Sequence, residues 1–449
     1  MKVLEQGMFY YSSLRNLTFD HGKVRFEVGD KPESDVVFEG VLSADGSQIV
    51  GQLNNDKTKH GRTFYRLIPN RYRSMTLDQL KTEVDRGDAK AMVELGYRLY
   101  YADGTKMDLV GAETLFRKAL DKGIANELTQ NWYFGIGFKK DFVFAYKCFE
   151  RLKAYDWVAL MRHEGLGVPR DPAGAVSELT KSLADMSDER DNDHVKDLDE
   201  VHVDNARVGL TYYPSDKYLL EEFLMVLKKP KPELFVDPSL KPSTPSCYMA
   251  ETETSANGCM NDESAVAEEK TAVFARVALA DASAEIKTVF KDYEISFQTY
   301  KWSAAGASGW IYEGGTMQRG VEVGTAFGLQ SDHQHEVEMI LNKELEKKAT
   351  ELNYQQADLE LNGAYRNMIK QARALYSEVG VDLHKRNEDY SLDIFRKSEK
   401  DWIAYRDSAT RLIDAIYAND PQKSVAVMKF KIYSTVQQTN TIGAYLRTN

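Results

Sequence analysis

Glu294-Ile-Ser-Phe297-Gln-Thr-Tyr300-Lys301-Trp-Ser303-Ala304 returns 105 residues later as Glu399-Lys-Asp-Trp402-Ile-Ala-Tyr405-Arg406-Asp-Ser408-Ala409. A glutamate, two aromatics three apart, a basic residue and a Ser-Ala pair recur in one register. In the second copy Leu392, Phe395, Trp402, Tyr405, Ala409, Leu412 and Ile416 are spaced by three, four or their sum, which draws one apolar stripe along a long helix. Trp402 and Tyr405 are therefore expected to pack in a core rather than to stack on a ligand. The repeat predicts two homologous helical-bundle domains, at 245–345 and 346–449. Gly320, Gly324 and Gly328 fall on one helix face and are expected to let another helix approach, while Glu322 among them argues against a membrane helix.

A second repeat lies upstream. Tyr101-Ala-Asp-Gly104 with Asp108 and Ala112, Tyr133-Phe-Gly135-Ile-Gly137 with Asp141 and Ala145, and Glu164-Gly165-Leu-Gly167 with Asp171 and Ala175 share one pattern. The glycines reverse the chain, the Asp caps the next helix, and the Ala one turn on allows close packing. Stacked helical hairpins over 76–186 are the expectation.

Ahead of these, residues 1–72 alternate in short runs. Phe9 to Phe19, Lys23 to Val28, Val36 to Leu42, Ile49 to Leu53 and Thr63 to Ile68 are separated by turn signals such as Asp45-Gly46 and His60-Gly61, as in a small antiparallel meander. Residues 187–244 form an acidic segment, a short helix and a proline-rich linker. Nine acids against two bases between 184 and 205 read as a solvated acidic face. The fold class expected is mainly α, with a β meander, a short α-solenoid and two C-terminal bundles.

The chain has 449 residues, enough for about three domains at roughly 150 each. With 43% apolar and 28% charged residues it is an ordinary globular composition, and no window is long and apolar enough to span a bilayer. A formal charge of −11 repels nucleic acid and favours basic partners. Three cysteines make neither a disulfide scaffold nor a four-cysteine zinc site. Cys148 reads as a buried small hydrophobe. Cys247 and Cys259 could close a loop, which requires an oxidising compartment. Met1 to Tyr11 carries no leader pattern, so the protein is either cytoplasmic or exported with its leader already removed.

The hairpin segment resembles Sel-type repeats, relatives of the tetratricopeptide repeat, through Ala91-Met-Val-Glu-Leu95-Gly96-Tyr97, Gly104, Asp108, Ala112, Phe116 and Gly123, and again through Gly165 to Ala175. The C-terminal half resembles the lysozyme inhibitor LprI family. The carriers are Cys247 and Cys259, Thr254 between them, Ala357-Asp358-x-x-Leu361-Asn362-x-x-Tyr365, Trp402-x-x-Tyr405-Arg406-Asp407, and Tyr312-Glu-Gly314-Gly315-Thr316. That resemblance implies a helical, exported, disulfide-held protein and singles out Trp402, Tyr405, Arg406, Asp407, Asp358 and Asn362 as mainly structural motif residues. It also implies Cys247–Cys259 as a disulfide. This chain departs from the family in having Ala409 where a Cys usually follows, and Lys301-Trp302 in place of Arg-Asp.

No metalloprotease, P-loop, nucleophile-elbow or dinucleotide motif occurs. Asp332-His333-Gln-His335-Glu336 is the densest ligand cluster. Residues two apart on a helix point about 200° away from each other, so a solvated helix face is expected there. No catalytic, cofactor-binding or metal-ligating set is assigned. The resemblances imply a periplasmic or envelope protein that binds another protein, a basic enzyme or toxin. A glycan-acting enzyme using a carboxylate pair and a cytoplasmic scaffold are the alternatives.

Overall fold

The computed structural model describes residues 3–5, 8–10, 14–20, 23–28, 37–42, 48–53, 62–65, 71–126, 128–185, 217–229, 243–249, 253–312, 317–348, 352–379 and 388–445. Two compact units result: Met1–Gln130 with Phe142–Leu224, and Asn131–Asp141 with Met225–Asn449. The described chain is mainly helical. The acidic run and most of the proline-rich linker lie outside the described residues.

In the first unit β1 (Val3–Glu5) pairs with β2 (Met8–Tyr10). β3 (Leu14–Asp20), β4 (Lys23–Val28), β5 (Val37–Leu42), β6 (Gln48–Leu53) and β7 (Arg62–Tyr65) form an antiparallel meander in sequence order. The alternating run expected as one strand from Phe9 divides into β2 and β3. Between Arg15 and Thr18 the β3–β4 register shifts, the signature of a bulge.

Helical hairpins follow. α1 (Leu77–Asp85) opens on a Thr76/Gln79 capping box. α2 (Ala89–Tyr101) opens on Asp88, which accepts from the Lys90 and Ala91 amides and from the Tyr72 hydroxyl at 2.7 Å. The Arg98 guanidinium donates to the Tyr72, Arg73 and Met75 carbonyls, so the turn before α1 is tied to α2. α3 (Leu109–Asp121) is capped by Asp108, and α7 (Pro172–Asp185) by Asp171, each accepting an amide at 2.8 Å. Between them lie α4 (Thr129–Phe134), which passes into the second unit from Asn131, α5 (Phe142–Arg151) and α6 (Tyr155–Glu164). Ala112, Ala145 and Ala175 are fully buried, as is Cys148. Gly167 has φ of +75°, and a Cβ there would collide with the Phe142 carbonyl, so no other residue fits that turn. α8 (Lys217–Leu227) ends this stretch.

The second unit holds α9 (Pro245–Tyr248), α10 (Glu253–Ala278), α11 (Ala284–Gly309), α12 (Met317–Leu341), α13 (Tyr354–Val379), α14 (Glu388–Ile416) and α15 (Lys423–Tyr445). Its helices pair reciprocally. α10 and α11 pack on α12, α13 and α14 pack on α15, and the two repeat-bearing helices, α11 and α14, pack on each other. Tyr293, Phe297, Ala304 and Val337 share one hydrophobic cluster with Trp402, Tyr405, Leu412 and Phe430. The halves expected as separate domains, 245–345 and 346–449, thus contribute to a single core.

The glycine expectation on α12 is corrected at Gly324 and Gly328. A Cβ on Gly324 would meet only Met260 Sδ at 3.6 Å, an ordinary contact, and one on Gly328 would meet nothing within 4 Å. The tight place is Gly309 at the end of α11, where a Cβ would come within 2.6 Å of Glu322 Cγ.

Candidate functional site

The α11–α14 crossing brings Tyr300 and Tyr405 into a stack, with ring centroids 5.6 Å apart and planes 12° apart. Each tyrosine reaches across to the last helix of the other copy. Tyr405 Oη meets His333 Nδ1 at 3.1 Å and donates to Glu336 Oε1 at 2.5 Å. Tyr300 Oη donates to Gln438 Oε1 at 2.6 Å. Gln438 stands 105 positions after His333, so the exchange is reciprocal. The repeated glutamates complete the pattern: Glu294 Oε1 lies 2.9 Å from His333 Nε2, and Gln438 Nε2 donates to Glu399 Oε2 at 3.0 Å.

The two arms differ in charge. The first contains Glu294, His333 and Glu336, with Tyr293 Oη also donating to Glu336 Oε1 at 2.6 Å. In the second, the positions matching His333 and Glu336 are Gln438 and Thr441. Phe297 stacks flat on the His333 ring at 3.5 Å. Burial pushes the Glu336 carboxyl above the usual carboxylate range, against the opposing pull of His333 and of the two tyrosine hydroxyls. Burial also pushes Tyr293, Tyr300 and Tyr405 well above the ordinary phenol value.

A cavity of about 30 Å³ opens beside this network. That is room for a group the size of a water molecule. Phe297 and Trp402, Tyr300 and Tyr405, Asp332 and Gln437, His333 and Gln438, Glu336 and Thr441, and Leu329 and Ser434 all line it. Each pair is related by the 105-residue offset, so the cavity sits where the two copies meet. Both of its acids come from the first copy.

The motif residues distribute as follows. Trp402 and Tyr405 are buried and line the cavity. Arg406 lies over the Trp402 ring at 4.9 Å and pairs with the exposed Asp407 at 3.0 Å. Asn362 Nδ2 donates to Asp358 Oδ2 at 3.1 Å on α13, and neither residue lines the cavity. Cys247 and Cys259 are joined by a disulfide with Cα atoms 4.4 Å apart, fastening α9 to α10. Ser246 Oγ donates to Asp262 Oδ2 beside it at 2.5 Å.

The expectation of a solvated face at 332–336 is corrected for two residues. Asp332 and His335 are exposed, but His333 is 1% and Glu336 5% exposed. They occupy the phase of the buried stripe Val323, Ala326, Gln330, Val337 and Ile340. That phase was the available signal, since polar residues in the register of an apolar stripe are placed in the core by the helix itself. Among the described residues no group of three His, Cys, Asp or Glu side chains is arranged to hold a metal ion.

A pH effect follows. A carboxyl raised on folding stabilises the fold below its unfolded value, and that contribution is lost as pH rises through the folded value. Glu336→Gln keeps an acceptor for both tyrosines and cannot ionise. Its stability relative to the unsubstituted protein should therefore improve from pH 4 to pH 8 in urea titrations. A difference that is constant with pH would show that folding does not raise the Glu336 carboxyl.

Residues 330–442, from mid-α12 almost to the end of α15, match the family described as lysozyme inhibitor LprI. The matched region carries Asp358, Asn362, Trp402, Tyr405, Arg406 and Asp407, together with His333, Glu336 and Gln438. No curated protein matches the chain in sequence. Among solved structures, the chain is similar to a protective antigen present in uropathogenic Escherichia coli strains, described as displaying an SLR fold. The identity is 16%, over 81% of this chain and 79% of that one, with a TM-score of 0.24.

Proposed function

We propose that the chain is a protein-binding inhibitor of the bacterial cell envelope that neutralises a lysozyme-like or other secreted antibacterial enzyme. The observation that carries this is the match of 330–442 to the lysozyme inhibitor LprI family. Charge supports it: at −11 and a pI near 5.4, the surface would steer a basic enzyme toward encounter. The disulfide supports an oxidising compartment such as the periplasm. In this reading residues 245–345 are a diverged first LprI-like copy, supported by the reciprocal bonds of Tyr300 and Tyr405. Residues 76–186 are Sel-type repeats that add a second binding surface.

The test is a peptidoglycan-lysis assay with a basic lysozyme and the purified full chain. Lysis should stop near one equivalent, and size-exclusion chromatography should show a complex. Undiminished lysis at large excess with no complex would sink the inhibitor reading, and so would peptidoglycan turnover by the chain alone.

A further inference from the structure

The second copy is an internal control for the first. At the positions of His333 and Glu336 it places Gln438 and Thr441 in the same crossing, so the fold accommodates uncharged residues there. Burying a carboxylate is costly unless it is compensated. Glu336 nevertheless turns a carboxyl to the cavity, with the Tyr293 and Tyr405 bonds both made to Oε1 and, among the described residues, none to Oε2. Across from it Ser434, 3% exposed, lines the same cavity and its hydroxyl has no hydrogen-bond partner among the described residues. An unpartnered acceptor and an unpartnered hydroxyl thus share one small space, with Asp332 exposed on its rim.

The walls suit a cation. Phe297, Trp402 and Tyr433 line the space, and aromatic faces attract positive charge. All three of these rings already do so within the chain: Lys301 lies over Phe297 at 5.6 Å, Arg406 over Trp402 at 4.9 Å and Lys348 over Tyr433 at 4.1 Å. None of these cations makes a bond to Glu336; Lys301 is engaged by Glu268 and Gln330, and Arg406 by Asp407. His333, the other basic group here, faces Glu294 through Nε2.

The geometry points to a binding site for one primary ammonium group, held by Glu336 Oε2 and Ser434 Oγ and walled by Trp402 and Phe297. About 30 Å³ admits an ammonium head. The group could belong to a free alkylamine or to a lysine side chain. The site is independent of the inhibitor reading and can fail without it.

Calorimetric titration of the full chain with n-butylammonium, n-butanol and a doubly blocked lysine tests this. The amines should bind and butanol should not. Losing a charge-assisted hydrogen bond corresponds to about a tenfold or greater loss, expected for Glu336→Gln. Ser434→Ala, a smaller change that keeps the fold if the first variant does not, should weaken binding about threefold or more. Asp358→Asn, outside the cavity on α13, should bind as the unsubstituted chain does. Tighter capture of blocked lysine assigns the site to a partner's side chain, and tighter capture of butylammonium assigns it to a free amine. The site is disproved if butanol binds as well as butylammonium, if no amine binds, or if folded Glu336→Gln and Ser434→Ala both bind normally.

Discussion

Trp402→Ala should lower the unfolding free energy of the second unit by about 3–5 kcal/mol, the range for removing a large aromatic from a packed core. Trp402 is 2% exposed and belongs to the cluster shared by both halves. Its loss also removes the surface on which Arg406 rests. Trp302 is an internal comparison, because it occupies the position equivalent to Asp407 and is 51% exposed. Trp302→Ala should change stability by no more than about 0.5 kcal/mol. Urea unfolding of both variants, followed by circular dichroism, makes the comparison. Equal losses would mean that the α11–α14 core does not govern the stability of this unit.

The second large effect is that of the disulfide. Cys247 and Cys259 are separated by 12 in sequence, and closing such a loop restricts the unfolded chain by about 3 kcal/mol in the chain-entropy model. Reduction, or paired Cys247→Ser and Cys259→Ser substitution, should destabilise the second unit by that amount. The neighbouring Thr244–Ser246 and Ser246–Asp262 bonds hold the native segment in place in either state. Cys148 is buried, outside the disulfide and in the other unit, so reduction should leave the helices of 71–130 and 142–185 unchanged. Coincident denaturation curves with and without reductant would show that the cross-link restricts nothing in the unfolded chain.

Much of the architecture rests on short-range chemistry. Asp108 and Asp171 cap helices because a carboxylate three residues ahead of an amide can reach it. The stripe from Leu392 to Leu412 is buried because residues three and four apart share a helix face. The five-stranded meander follows from alternation broken at turns. The 105-residue repeat announced matching helices, and the side chains it singled out, Trp402 and Tyr405, are in the core. The solvated reading of 332–336 failed because it weighed residue type over helical phase, which sets His333 and Glu336 inward.

From sequence alone one can therefore derive the elements, their apolar faces and the existence of two copies. How those copies meet is another matter. Tyr300 bonds Gln438 across 138 residues and Tyr405 bonds Glu336 across 69, distances at which no spacing rule operates. That exchange depends on the angle and register at which α11 crosses α14, and these are set by the fit of whole side-chain surfaces. Only the tertiary structure could decide that the charged arm, the neutral arm and the cavity between them share one core.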